Sequence, residues 1–191
     1  SSAMRSFMQS LLDNCNEENE DSEYIVRLNG SNKKVRFLGI DSIDASLLEA
    51  KEDIFEAILA KMFNEFLKDN ENTNSEALTY EKRELYQMFS SIYRKHLNLK
   101  KRSFDDIYSS EAAISDLRDL ARSVDIKQEF EKLIEKYIQV KSYCEYGHNE
   151  RDRYETFLVV SIDDIDMNVE SGFEILEKIQ RYLKVKRLIV L

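Results

Sequence analysis

Phe157-Leu158-Val159-Val160-Ser161-Ile162-Asp163-Asp164-Ile165-Asp166 is the stretch on which the reading of the whole chain turns. Residues 157 to 162 form the most apolar short run in the sequence. They are too few for an independent helix and rich in β-branched side chains, so they predict a strand buried on both faces. A buried parallel strand cannot hold unpaired carboxylates in its interior. Asp163 and Asp164 must therefore stand at its C-terminal end, on the rim where open α/β sheets bind ligands. Acids here could also start the next helix by capping free N–H groups. Asp166 or Asn168 would do that alone, which leaves Asp163 and Asp164 without that explanation.

Downstream, Val169, Phe173, Ile175, Leu176, Ile179 and Leu183 repeat at helical spacing and predict a helix over 169–183. The chain then ends in Lys186-Arg187-Leu188-Ile189-Val190-Leu191, expected as a second fully buried strand. Strand, helix and strand within about 35 residues make a βαβ unit, hence a parallel sheet with a right-handed crossover. Upstream, residues 23–28 and 33–40 read as strands around Asn29-Gly30-Ser31-Asn32, which either closes a hairpin or separates the two. Val35, Phe37 and Leu38 make the second run the stronger.

Between the strands the periodicity is helical. Helices are expected over 47–68 (Leu48, Ile54, Ile58, Leu59, Met62, Phe63, Phe66) and 76–97 (Leu78, Leu85, Met88, Phe89, Ile92, Tyr93). Two more are expected over 110–122 and 125–142, carrying Ile114, Leu117, Leu120, Phe130, Leu133, Ile134 and Tyr137. These stripes read as core or inter-helix packing. Residues 3–12 place Met4, Phe7, Met8, Leu11 and Leu12 on one face of a short amphipathic helix, and the acidic stretch 14–22 reads as a loop.

Composition bounds the classes. The 191 residues, 42% hydrophobic and 34% charged, suit one domain or one and a half and exclude disorder throughout. No window resembles a membrane span or an export signal, so a cytoplasmic protein without membrane contact is expected. The formal charge of −9 argues against a surface built mainly to grip phosphate backbones and leaves nucleic acid to a local basic groove. Cys15 and Cys144, far apart in sequence, suggest ordinary buried or half-buried thiols rather than a disulfide framework.

An apolar strand followed by two acids resembles the Walker B motif of P-loop NTPases. In that family the first acid helps hold Mg²⁺ through water and the second polarises the attacking water. The resemblance implies Asp163 as a metal residue and Asp164 as the catalytic one. The opening Ser1-Ser2-Ala3-Met4-Arg5-Ser6-Phe7 is similar to the sequence after Gly-Lys of a Walker A loop, where the chain enters a helix. Ser1 would then ligate Mg²⁺ and Ser2 lie beside the ATP phosphates at the helix N-terminus. A cloning scar before an initiating Met4 is the alternative origin of these residues.

On this resemblance the fold is α/β: a partial P-loop NTPase core with a parallel sheet and a large helical insert. Residues 1–68 would be the first part of the nucleotide-binding core, 69–150 the helical insert, and 151–191 the Walker B βαβ unit. Phe37-Leu38-Gly39-Ile40-Asp41-Ser42 and the 157–183 segment look like bacterial AAA+/STAND/KAP-like ATPases, which recur in anti-phage defence systems. Ser42 stands where that group has Pro. The resemblance implies an ATPase acting as the motor or switch of a larger assembly, as a homo-oligomer with an effector protein subunit. It also implies a sensor residue beyond Leu191. With four glycines and no proline, the chain is expected to be a piece that begins inside one nucleotide motif and stops short of another.

Other residues carry weaker signals. Asp41 and Asp44 could extend the acidic rim or act in water activation, but capping the next helix is the commoner use of such residues. Cys144 and His148 have the spacing of half a zinc site without a second pair. His96 reads as a solvated residue near a helix C-terminus. Arg151 and Arg153 precede the strand at the end away from phosphate, and no arginine finger can be chosen. The rival from another class is a metal-dependent nuclease or phosphoesterase, since Asp164-Ile165-Asp166 also matches a Toprim-like Asp-x-Asp site completed by Asp41 or Asp44.

Overall fold

The computed structural model describes residues 6–7, 9–10, 25–28, 31–48, 53–72, 79–102, 110–146, 154–165 and 169–191. Of the expected N-terminal helix, these include residues 6–7 and 9–10, which are helical, with Phe7 about half exposed. Ser1, Ser2, Cys15, His148, Arg151, Arg153 and Asp166 lie outside the described residues.

Strands β1 (Ile25–Leu28) and β2 (Ser31–Gly39) pair antiparallel with Leu28 opposite Ser31, so two residues separate the paired ends in sequence. That two-residue spacing is the one Asn-Gly favours in hairpins. Strand β4 (Tyr154–Val160) lies parallel to β2, and β6 (Leu188–Val190) lies parallel to β4 on its other side. The four-stranded order is β1-β2-β4-β6. Beyond Gly39 and Val160 the two inner strands resume as the short parallel pair β3 (Ile43–Asp44) and β5 (Ile162–Asp163). From Gly39 to Ile43 the first strand takes four steps, whereas its neighbour takes three from Val159 to Ile162. The extra residue is accommodated around Asp41 and Ser42, the two-against-one count of a bulge.

Alternation assigns the faces. Leu38, Ile40, Leu158, Val160 and Ile162 project into the main core, where the helices cover them. Val35 and Val159 are buried on the opposite face, where Phe37 and Phe157 lie 6.2 Å apart between ring centroids. Both faces of β4 are thus apolar, as a parallel strand requires. The last strand is different: Leu188, Ile189 and Val190 are all half-buried, which corrects the expectation of full burial. At the end of the described sheet, β6 is hydrogen-bonded on one side only.

The helices are α1 (Ile54–Asn72), α2 (Thr79–Arg102), α3 (Ser110–Tyr146) and α4 (Val169–Lys178), the last continuing through a wider π-type turn at Ile179–Leu183. The helices differ from the sequence reading at three points. The first helix does not begin at residue 47: a 3-10 turn, Ala45–Leu47, ends before α1 starts at Ile54. The expected break between 122 and 125 is absent, because Arg122-Ser123-Val124 contains neither Gly nor Pro and one helix of 37 residues runs through it. Finally, Tyr93, Leu120, Phe173 and Leu176, expected on apolar faces, are exposed.

Phe55 sits at the centre of the helical layer. Its ring lies 5.0 Å from Phe130 of α3 and 5.1 Å from Tyr182 after α4, and all three residues are buried. Edge and tilted aromatic contacts of this kind each contribute about 0.5–1.5 kcal/mol beyond area burial. Phe89 of α2 meets Tyr137 of α3 edge-on at 6.3 Å and extends the same layer.

Candidate functional site

The acidic rim is built by register. Ile43 N–H donates to the Ser161 carbonyl at 2.9 Å, and the β3–β5 ladder then places Asp44 directly beside Asp163. On the other side, Ile162 N–H donates to the Leu191 carbonyl and Leu191 N–H to the Val160 carbonyl, each at 2.9 Å. The end of the chain therefore flanks the same tip. Asp44, Asp163 and Asp164 share the C-terminal edge of the parallel strands, where carbonyl ends and loops gather in open α/β sheets.

Each carboxylate has its own local role. Asp44 Oδ1 accepts hydrogen bonds from the Ser46 N–H at 2.9 Å and the Ser46 hydroxyl at 2.6 Å, capping the 3-10 turn. The Ser46 hydroxyl is the main cause of a carboxyl held below its ordinary range. Asp163 is half-buried, and its Oδ1 accepts from the Asp164 N–H at 3.1 Å. Asp164, also half-buried, has φ +56°, in the left-handed region that Asp tolerates better than most residues. This backbone reversal ends the strand. Asp41 is exposed, with Lys61 of α1 4.0 Å away.

Among the described residues, no three or more His, Cys, Asp or Glu side chains converge to hold a metal ion. A structural cage is thus not formed by them, but Mg²⁺ typically takes one or two carboxylates and completes its shell with water and phosphate oxygens. The hard oxygen donors of Asp163 and its neighbour Asp44 suit that ion by kind. Cys144 is half-buried and packed against the core, and it belongs to no such cluster among the described residues.

A second polar constellation was missed by the sequence reading. His96 is not solvated: it is 4% exposed, with its ring 5.0 Å from Phe55 and 5.9 Å from Tyr182. Its Nε2 lies 3.3 Å from Asp53 Oδ2 and 3.4 Å from Glu56 Oε1, at ion-pair distance without hydrogen-bond alignment. Asp53, equally buried, accepts the Phe55 N–H at 2.9 Å and receives Lys178 Nζ of α4 at 3.0 Å. Burial alone would raise the Asp53 pKa. The His96 imidazole, the hydrogen bond and charge of Lys178, and the Phe55 N–H overcome it and hold the carboxyl well below the usual carboxylate range.

Signals for this junction were present. Asp53-Ile54-Phe55-Glu56 matches the spacing of a capping box and marks where α1 begins. His96 follows Phe89 and Ile92 by seven and four positions, on the same buried stripe of α2.

Comparison with models of known protein families and with curated proteins finds no match to this chain. What the structure itself defines is a mixed α/β protein with a small parallel sheet and a predominance of helix. No helix among the described residues is long and apolar enough to cross a membrane.

Proposed function

We propose that this chain is part of the core of a P-loop ATPase, with ATP bound at the acidic rim. The observation that carries the reading is the place of Asp163 and Asp164: the tip of a strand that lies between two parallel neighbours, β2 and β6. A Walker B strand needs that position, since its acids must reach phosphate and metal over the C-terminal edge of the sheet. Ser1 and Asp163 would hold Mg²⁺, Ser2 would lie beside the phosphates, and the ion would supply charge neutralisation on the phosphate oxygens. Asp164, turned out of the strand by its left-handed backbone, would orient and deprotonate the attacking water. Hydrolysis would drive or gate a change in a larger assembly, a homo-oligomer with an effector subunit. The resemblance of residues 37–42 and 157–183 to ATPases of anti-phage systems supports a place for this assembly in cytoplasmic defence.

Asp164→Asn in the full-length protein is the test. Binding of a fluorescent ATP analogue should persist while phosphate release falls by about 10²- to 10⁴-fold, the usual contribution of a positioned base. Unchanged turnover removes Asp164 from the chemistry. The register of Asp44 beside Asp163 favours, as a second reading, a metal-dependent phosphoesterase with two adjacent carboxylates. Asp44 is engaged in capping Ser46, which counts against it as a ligand. Cleavage of phosphodiester substrates with Mg²⁺ or Mn²⁺, and none of ATP, would decide for that reading.

A further inference from the structure

Charge is unevenly distributed along this acidic chain. Helix α2 carries seven Lys and Arg against Glu81 and Glu84, a net charge of +5 with His96 neutral, so the remainder carries −14 of the total −9. Part of that charge is satisfied internally: Lys95 pairs with Glu129 and Lys100 with Glu56. Arg83 and Arg94 are both exposed and have no ion-pair partner among the described residues. They lie eleven residues apart, about 16 Å along the helix, and three turns separate them. Both therefore project toward one side of α2.

Beside them runs a groove of about 380 Å³ between α1 and α2, walled by Phe63, Tyr86, Phe89 and Tyr93. Phe63 stands edge-on to Tyr86 at 5.5 Å and to Phe89 at 5.3 Å. Tyr86 and Tyr93 are 54% and 45% exposed, so their rings form an open aromatic lip rather than closed core. Ser90 and Glu56 supply the polar groups of the groove, and the Glu56 charge is offset by Lys100 at 3.3 Å. On the helical wheel Ser90 separates the tyrosine side of α2 from the arginine side.

We propose that the α1–α2 groove binds single-stranded nucleic acid, with bases stacked on Tyr86 and Tyr93 and the backbone running along Arg83 and Arg94. Exposed arginines without an ion-pair partner among the described residues, on the side of α2 next to exposed rings, match both requirements of a single-strand site, a positive track for phosphate and π faces for the bases. A duplex hides its base faces in its own stack and has no access to rings set in a concave groove. Glu56 and Ser90 add acceptors for the amino edge of a stacked base. The site shares no residue with the acidic rim and does not depend on the ATPase reading.

The experiment is fluorescence anisotropy of a labelled 20-nucleotide single strand, as DNA and as RNA, with the full chain over 50 to 300 mM salt. Tight, salt-dependent binding is expected. Tyr86→Ala and Tyr93→Ala should each weaken it by about 5- to 150-fold, the range of a lost base stack, while Tyr→Phe at either position restores it. Arg83→Gln with Arg94→Gln should reduce the slope of log K against log salt by about 1.4, from two phosphate contacts at about 0.7 each on a single strand. All four side chains are exposed, and unchanged circular dichroism would show that the variants fold. The proposal is overturned by absence of binding at 50 mM salt, by alanine variants that bind like wild type, or by equal competition from duplex. Equal competition from polyglutamate also overturns it, and assigns the arginines to an acidic protein partner instead.

Discussion

Replacing Asp53 by Ala should separate the two roles that one buried carboxylate plays at the junction of α1, α2 and α4. Its Oδ1 accepts the Phe55 N–H at the start of α1, and loss of such a cap costs about 1 kcal/mol within a range of 0.5–2. Its Oδ2 holds Lys178 at 3.0 Å and faces His96 at 3.3 Å. Removing one partner of a buried ion pair costs about 3–5 kcal/mol. The Lys178 side chain is 32% exposed and can turn toward water, so about 2 kcal/mol is the better figure for that part. Together, Asp53→Ala should lower stability by about 3 kcal/mol, or the melting temperature by about 6–12 °C for a chain of this size. Asp53→Asn keeps the cap, since Asn is an equal N-cap residue, and should cost only about 2 kcal/mol. Urea denaturation at pH 7 followed by circular dichroism measures both. The pH dependence follows from the depressed carboxyl. Because its folded pKa lies below the unfolded value of about 3.9, its contribution is present above that value and is lost as pH falls below about 4. The gap between wild type and Asp53→Asn should therefore narrow on acidification. A loss below 1 kcal/mol for Asp53→Ala, or a gap that stays constant down to acid pH, would refute the reasoning.

Two further substitutions probe the strand tip. Ser161 is fully buried, and its hydroxyl has no hydrogen-bond partner among the described residues, so Ser161→Ala should stabilise by about 1 kcal/mol, the lower end of the desolvation cost removed; a loss of stability in thermal melts would mean that the hydroxyl has a partner. At Gly172 an added Cβ would stand 3.1 Å from the Ile165 carbonyl oxygen. Ala gains about 1 kcal/mol in helix propensity, but a backbone atom must yield, so melts of Gly172→Ala should show no net gain; an increase of a full 1 kcal/mol would show that the segment after Asp164 moves freely.

The strand tip was legible because it depends on local pattern. An apolar run of six followed by two acids admits few arrangements, and the helix and strand after it follow at ordinary spacing. The neighbours of that tip were not legible. Whether Asp44 reaches the level of Asp163 depends on the additional residue taken up near Asp41, and such an offset leaves no mark on hydrophobic periodicity. His96 was misjudged for a related reason: position near a helix end suggests solvent, but its environment is set by Asp53 and Lys178, which are distant in sequence. Exposure of Tyr93, Phe173 and Leu176 likewise depends on what each helix packs against, and periodicity shows only that a stripe exists.

The two polar constellations are joined by a single helix. Helix α4 begins at Val169, and at Gly172 in its first turns an added Cβ would stand 3.1 Å from the Ile165 carbonyl oxygen, so the helix start approaches the end of the rim segment closely. Further along, Lys178 reaches Asp53 at the start of α1, and Tyr182 packs on both Phe55 and His96. The same helix is thus tied at its beginning to the segment that carries Asp163 and Asp164 and near its end to α1 and α2. Its intervening outward side chains, Phe173 and Leu176, make no part of that attachment and remain exposed. Between these ties Ile175 is buried in the main core, Ile179 packs against it, and Tyr182 and Leu183 are buried beyond, so the inward face of α4 and its continuation is a continuous apolar stripe. A displacement of the rim segment is therefore resisted along the buried inner face of α4 as well as at the Asp53–Lys178 pair, and the close approach of Gly172 to Ile165, ahead of that face, is where it would first be felt.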